Sequence, residues 1–268
     1  MAKENTGMGI KIITTLCFLI MIVVNVLAVT LPLNGVETGQ VSGSYPNLFA
    51  PAAVTFSIWG LIYILLALYT LYQLGFFQKN NVAEQNSLLK YINVYFCLSS
   101  LINAAWIFAW HYYKIPLSVI LMLVLLLCLI TINNKTTKAQ LSGREKFFIR
   151  LPFSIYFGWI TIATIANITV LLVSLGWNGF GLSEVIWTVI ILIVGLIIAA
   201  LTTLKNKDIA YGLVIIWAYA GILIKHFSVD GFNGQYPFVI ITVIACVALM
   251  LFVISYVWFN RRTVAKIH

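Results

Sequence analysis

Hydrophobic residues occur in eight continuous runs that are separated by short polar stretches. A bilayer core of ~30 Å needs about 20 apolar residues in a helix, and each run is close to that length. The runs fall at about residues 10–31, 52–74, 91–111, 116–133, 149–175, 183–203, 209–226 and 237–259. Segments in hydrocarbon must satisfy their backbone groups internally, so helices are expected. The pattern predicts an all-α fold: a polytopic transmembrane helical bundle of about eight spans.

Two other interpretations of this pattern are excluded. A membrane β-barrel shows alternating segments of about ten residues, whereas these runs are continuous. Lys3 and Lys11 precede the first run, as they would in a signal peptide. That run is longer than the 7–15 residues of a signal core, and no A-x-A cleavage site follows it. We therefore expect an anchored helix there.

The composition agrees with a membrane protein. Hydrophobic residues make up 62% of the chain and charged residues 9%, against about 45–50% and about 25% in soluble domains. These values exclude a soluble enzyme, a disordered chain and a secreted disulfide scaffold. The cysteines lie inside apolar runs without CxxC spacing, which predicts neither disulfides nor a zinc site. They are Cys17, Cys97, Cys128 and Cys246.

The positive charge indicates orientation rather than nucleic-acid binding. The net charge is +9, and the bases cluster between the apolar runs. With the N-terminus inside, 14 of the 16 lysines and arginines face the inner side, and only Lys114 and Lys225 face outward. By the positive-inside rule, both termini are predicted to be cytoplasmic, with the protein in the cell membrane. The lipid bilayer is therefore the first expected partner, and no nucleic-acid partner is expected.

Sequence signatures of catalysis are missing. The chain has no P-loop, HExxH, GxSxG or EF-hand pattern, and no acidic residue in the middle of a run. Glu37, Glu184 and Asp230 lie at the predicted outer rim, as do His111 and His226. We predict no catalytic residues, and a non-enzymatic role is favoured. Ion-coupled transport, which usually uses an intramembrane acid, is disfavoured.

His111 has two interpretations. It lies at the outer end of the third run, where an interfacial histidine at headgroup level is expected. The alternative is an axial ligand to a metal or a tetrapyrrole. No other metal ligand is predicted.

Aromatic and amide side chains recur on one face of three predicted helices. The spacings are i, i+3, i+7 in the second and third helices and i, i+4, i+8 in the fifth. These candidate ligand-binding residues are Phe56, Trp59 and Tyr63, then Asn103, Trp106 and Trp110, then Trp159, Ala163 and Asn167. One interpretation is that they only join helices, since asparagine bonds across bundles. The other is an aromatic-walled pocket for a flat hydrophobic ligand.

These residues resemble the TspO/MBR family of tryptophan-rich sensory proteins and translocator proteins. LINAAWIFAW is similar to the family's Asn-x-x-Trp, at Asn103 and Trp106. WITIATIAN is similar to Trp-x-x-x-Ala-Thr-x-x-Asn, from Trp159 to Asn167. A proline-bearing loop before Trp59 and Tyr63 resembles the family's Trp-x-x-x-Tyr. The resemblance covers about residues 8–175.

The resemblance implies a five-helix core that is often a homodimer and binds porphyrins, haem-like tetrapyrroles or other lipophilic ligands under the first loop. Residues 55–59 read TFSIW where the family has Phe-Gly-Pro-x-Trp, and residues 168–177 lack the family's proposed cholesterol motif. Three further spans follow. We therefore expect a TspO-like domain over residues 8–175 and a three-helix C-terminal extension over residues 183–260.

The predicted function is binding or sensing of a planar hydrophobic small molecule, a tetrapyrrole being the first candidate. The sequence identifies no cofactor, and a porphyrin or haem-like ligand is the candidate that the resemblance implies. Two alternatives stay open: a small-molecule membrane transporter, and an intramembrane enzyme acting on a pigment or lipid.

Overall fold

The structure is a computed structural model that describes residues 2–31, 33–78 and 83–265, with side chains described for residues 7–31, 33–78 and 86–260. Five bases assigned above to the inner side fall outside the described side chains: Lys3, Lys79, Arg261, Arg262 and Lys266.

The described residues form eight long helices, which confirm the predicted all-helical bundle, and each is long and apolar enough to cross a membrane. No strand occurs in the described residues. The helices are α1 (Ala2–Thr30), α2 (Ile58–Leu74), α3 (Ala83–His111), α4 (Ile115–Lys138), α5 (Leu151–Ser174), α6 (Glu184–Asn206), α7 (Ile209–Phe227) and α8 (Pro237–Ala265).

The connection between α4 and α5, predicted to face inward, is shorter than the gap of residues 134–148 between the fourth and fifth apolar runs. Helix α4 continues to Lys138, and a helical turn begins at Gly143. Ser142 caps this turn in a reciprocal capping box with Glu145. A π-helical turn, Lys146–Arg150, then leads into α5, just ahead of Pro152, which has no N–H to donate.

We call the connection between α1 and α2, which the sequence predicts to face outward, the outer loop; it is partly helical. It contains the 3₁₀ turn Leu33–Gly35 and the short helix Thr38–Gly43. A second 3₁₀ turn, Ala53–Ser57, runs directly into α2.

The chain forms two compact units. The first contains residues 1–41 and 59–160, and the second contains residues 42–58 and 161–268. In the first unit α3 packs against both α1 and α4. In the second unit α8 packs against α6 and α7, and the turn Ala53–Ser57 packs against α7. Side-chain caps start α6 at Ser183 and α7 at Asp208.

The structure corrects the prediction that the cysteines form no disulfide. Cys17 on α1 and Cys97 on α3 are paired as a disulfide, with their Cα atoms 5.3 Å apart, a separation that suits such a bond. Cys128 and Cys246 are free and buried, as expected. The sequence could not reveal the pair, because 80 residues separate the two cysteines and only helix packing brings them together.

Candidate functional site

Four aromatic rings from α2 and α5 form a cluster in the first unit, which we call the Trp59 cluster: Trp59, Tyr63, Tyr156 and Trp159. Trp59 stacks on Tyr63 with ring centroids 5.4 Å apart. It meets Tyr156 and Trp159 edge to face at 5.9 and 6.3 Å. Tyr156 and Trp159 are buried, whereas Trp59 and Tyr63 are half-buried. The cluster thus offers partly open aromatic surface backed by two closed rings.

A chain of hydrogen bonds holds these rings to α1 and α3. The Tyr63 hydroxyl donates to Asn25 Oδ1 at 2.7 Å. Asn25 Nδ2 donates to Asn103 Oδ1 at 2.8 Å and to the Met21 carbonyl at 2.8 Å. Asn103 Nδ2 donates to the Tyr156 hydroxyl at 3.2 Å. Asn103, one of the candidate residues on α3, is therefore bonded to both α1 and α5. The two amides position the rings, since each is already engaged with protein groups.

Trp106 and Trp110 form a separate stacked pair on α3, with ring centroids 5.7 Å apart. Trp110 Nε1 donates to the Thr38 carbonyl at 3.0 Å and so ties α3 to the outer-loop helix. Trp106 is 6% exposed, and its indole N–H finds no acceptor among the described residues. That N–H, one helical turn from Asn103, is an available donor in an apolar setting.

His111 is buried with both ring nitrogens engaged. Nδ1 lies 3.2 Å from the Leu33 carbonyl, and Nε2 lies 2.9 Å from the Thr38 hydroxyl. A carbonyl can only accept, so Nδ1 carries the hydrogen and the Nε2 lone pair accepts from Thr38. Binding a metal would break the Thr38 bond. The geometry therefore fits a histidine that fastens the outer loop better than an axial ligand.

The remaining candidate residues belong to the second unit. Phe56 lies on the turn Ala53–Ser57 and is half-buried. Ala163 and Asn167 lie on the part of α5 that follows Ile160. Asn167 is buried and Ala163 is half-buried.

A second polar network, absent from the sequence predictions, joins α1, α2 and α3 nearer the other ends of these helices. The Tyr69 hydroxyl donates to Asn93 Oδ1 at 2.6 Å, and Asn93 Nδ2 donates to Gln73 Oε1 at 3.1 Å. Gln73 Nε2 in turn reaches the Lys11 carbonyl and the Thr15 hydroxyl, each at 3.1 Å. All its amides are bonded within the protein, so this network joins helices.

Sequence reasoning missed Asn25 and Tyr156 in the site. Asn25 interrupts the otherwise apolar segment MIVVNVLAV, and an amide in hydrocarbon is costly unless it is paired. Applied to the first helix, that rule identifies Asn25 as a residue that needs a partner. Tyr156 lies three residues before Trp159 and therefore on the same helix face, so extending the spacing rule by one turn would have included it.

These features define a class of protein. Eight apolar helices make the chain a multi-pass integral membrane protein, and its candidate site is an uncharged set of rings fixed by amides. Among the described residues, no group of three or more His, Cys, Asp or Glu could hold a metal ion.

A sequence model of the TSPO-like protein family matches residues 11–256. The chain therefore belongs to the TSPO-like protein family. The match continues beyond residue 175 and takes in α6, α7 and most of α8. No curated protein and no solved structure matches the chain.

Proposed function

We propose that this protein binds a planar hydrophobic ligand at the Trp59 cluster, with a tetrapyrrole as the first candidate. The observation that carries the proposal is the half-buried Trp59 ring, stacked on Tyr63 and backed by Tyr156 and Trp159. Aromatic rings attract other flat π-systems in offset-stacked or edge-to-face geometry. A flat ligand suits this surface better than a bulky aliphatic one.

The hydrogen bonds already formed within the site give a second criterion for the ligand. Asn25 and Asn103 are bonded to each other, so ligand recognition falls to the rings. Trp106, one helical turn from Asn103 on the same helix, has an unpartnered indole N–H, which favours a ligand that carries an uncharged hydrogen-bond acceptor. Leaving a buried donor of this kind unsatisfied costs about 1–3 kcal/mol. A porphyrin whose acid side chains are protonated or extend to the membrane surface is consistent with both criteria.

Metal-free protoporphyrin IX is the appropriate probe, because His111 already uses both ring nitrogens. The purified protein in lipid nanodiscs would be titrated while porphyrin absorbance and tryptophan fluorescence are followed. Binding predicts a saturable absorbance shift and saturable quenching. Empty nanodiscs of the same lipid provide the control. A linear response equal to that of empty nanodiscs would reject the proposal.

The same preparation separates the alternatives. Saturable binding without loss of porphyrin supports a binding or sensing protein. Protein-dependent uptake of porphyrin into proteoliposomes would indicate a transporter. Conversion of bound porphyrin to a new pigment would indicate an enzyme. Homodimerisation is part of the proposal only through the family resemblance.

A further inference from the structure

Residues 45–57, which we call the Leu48 segment, connect the outer-loop helix to α2 and contain Pro46 and Pro51. The only regular structure in this segment is the turn Ala53–Ser57. Backbone groups outside helices need partners elsewhere when they are buried. Leu48 and Phe49 are 2% and 1% exposed, so the segment depends on what surrounds it.

Two side chains from the second unit hold the backbone of Leu48. Its N–H donates to Glu184 Oε1 at 3.1 Å. Its carbonyl accepts from His226 Nε2 at 2.9 Å. Since a carbonyl can only accept, His226 carries its hydrogen on Nε2. Glu184 is the first residue of α6, and His226 lies in the last turn of α7. Both helices therefore hold the backbone of Leu48.

Further contacts with α7 extend this attachment along the segment. The Ala52 N–H donates to the Gly221 carbonyl at 2.9 Å, and Trp217 Nε1 donates to the Thr55 carbonyl at 2.9 Å. Thr55 fills the space that a Cβ on Gly221 would need, so only glycine allows this approach. Trp217, Gly221 and His226 on α7 thus each contact this segment at a different residue.

We propose that α6 and α7 hold the Leu48 segment in place and thereby regulate the Trp59 cluster, a role that rests on the proposed ligand site. The segment ends at Ser57, and only Ile58 separates it from Trp59. Fixing the segment fixes the start of α2 and so restricts the Trp59 ring. If the segment were detached in some of the molecules, only the remaining molecules would bind the ligand. The apparent Kd would then rise in inverse proportion to that remaining fraction. Glu184 and His226 are positioning residues.

Hydrogen–deuterium exchange in nanodiscs tests the attachment. Glu184→Ala and His226→Phe each remove one bond to Leu48. We expect amides in residues 45–57 to exchange about tenfold faster, as the loss of ~1.4 kcal/mol implies. Glu184→Gln keeps an acceptor and His226→Gln keeps a donor, so both should exchange nearly as the unaltered protein does. Gly9→Ala, at a glycine with no neighbour within 4 Å, controls for mutation itself.

Two exchange results would overturn the proposal. Unchanged exchange over residues 45–57 in both Glu184→Ala and His226→Phe would show that these bonds do not hold the segment. Equal acceleration in α8 would show that the two residues support the whole unit instead. Gly221→Ala provides an independent variant, because it displaces Thr55 without touching α6. It should also accelerate exchange in the segment.

Protoporphyrin IX titration tests the regulation. Glu184→Ala should weaken binding about fivefold or more, within the usual range of coupling between sites, with the same number of sites at saturation. Glu184→Gln should restore affinity. Faster exchange with unchanged affinity would refute the regulation and leave the proposed ligand site standing. A wild-type protein that binds no porphyrin would end both the proposed function and the regulation, whereas exchange would still decide the attachment.

Discussion

Asn103 joins three helices through one amide group. It accepts from Asn25 on α1 and donates to Tyr156 on α5, and it is fully buried. Removing it leaves an Asn25 hydrogen without its acceptor. An orphaned buried group costs more than the ~0.6 kcal/mol average of interhelical bonds in a membrane protein. The network therefore matters more for stability than a single helix-joining bond would.

Asn103→Leu and Asn25→Leu should each lower the free energy of unfolding by about 1–2 kcal/mol, because each orphans its partner. The double variant should cost about 1 kcal/mol less than the sum, since it removes both partners. Denaturation in detergent measures all three. Thr131→Val is the control, because that hydroxyl bonds only within α4. Additive costs would show that the two amides act independently.

The sequence identified one residue of this hydrogen-bond network, Asn103. Asn103 could be predicted because it shares a helix face with two tryptophans. Its partners could not, because the rotation of α1 and the register of α5 depend on packing between helices. The same limit applies to the pairing of Cys17 with Cys97. Single residues with unusual chemistry are visible in the sequence, and their partners are set by tertiary structure.

At the level of the helices, α6 and α7 meet at a glycine. The Tyr219 hydroxyl on α7 donates to the Leu192 carbonyl on α6 at 2.7 Å. A Cβ on Gly195 would lie 2.7 Å from that same hydroxyl oxygen. The close approach of these helices therefore requires glycine at this position.

Gly195→Ala should lower stability by about 1–3 kcal/mol through overpacking. Adding Tyr219→Phe should recover part of the loss, because it removes the clashing oxygen. Thermal unfolding of the purified protein measures both variants. Gly9→Ala, at an open helical position, should be neutral or slightly stabilising. No loss in Gly195→Ala would mean that α6 and α7 are less closely packed than described.

Helix positions were largely predictable, because hydrophobicity is a local property and the bilayer sets the length. The main error was the inner connection between α4 and α5. The capping pattern S-x-x-E at Ser142–Glu145 was present in the sequence and marks a helix start, so the extra helical turn could have been predicted. The helices of the outer loop carried no comparable signal.

At the scale of the whole molecule, the asymmetry of the bases predicts that both termini are cytoplasmic. Reporter fusions after residues 80, 140, 206 and 268 should all give a cytoplasmic signal. The expectation follows from placing 14 of 16 bases on one side. A signal from the opposite side at any one position would contradict the eight-span topology.

The arrangement of the chain into units was not visible in the sequence. The predicted boundary lies between residues 175 and 183, whereas the compact units share α5 and place residues 42–58 with α6–α8. The domain boundary predicted from the sequence stays a proposal, because a domain defined by family resemblance need not coincide with a compact structural unit. Bonds such as Leu48 to His226 cross 178 residues of sequence, which no local pattern can indicate.

The central claim is that a planar ligand binds at the Trp59 cluster. The most direct test is the affinity of protoporphyrin IX for Trp59→Phe beside Trp258→Phe, a control on the exposed side of α8. Losing the indole should remove about 1 kcal/mol of stacking and weaken binding about fivefold, whereas the control should bind as the wild type does. Equal affinities in all three proteins would contradict the account.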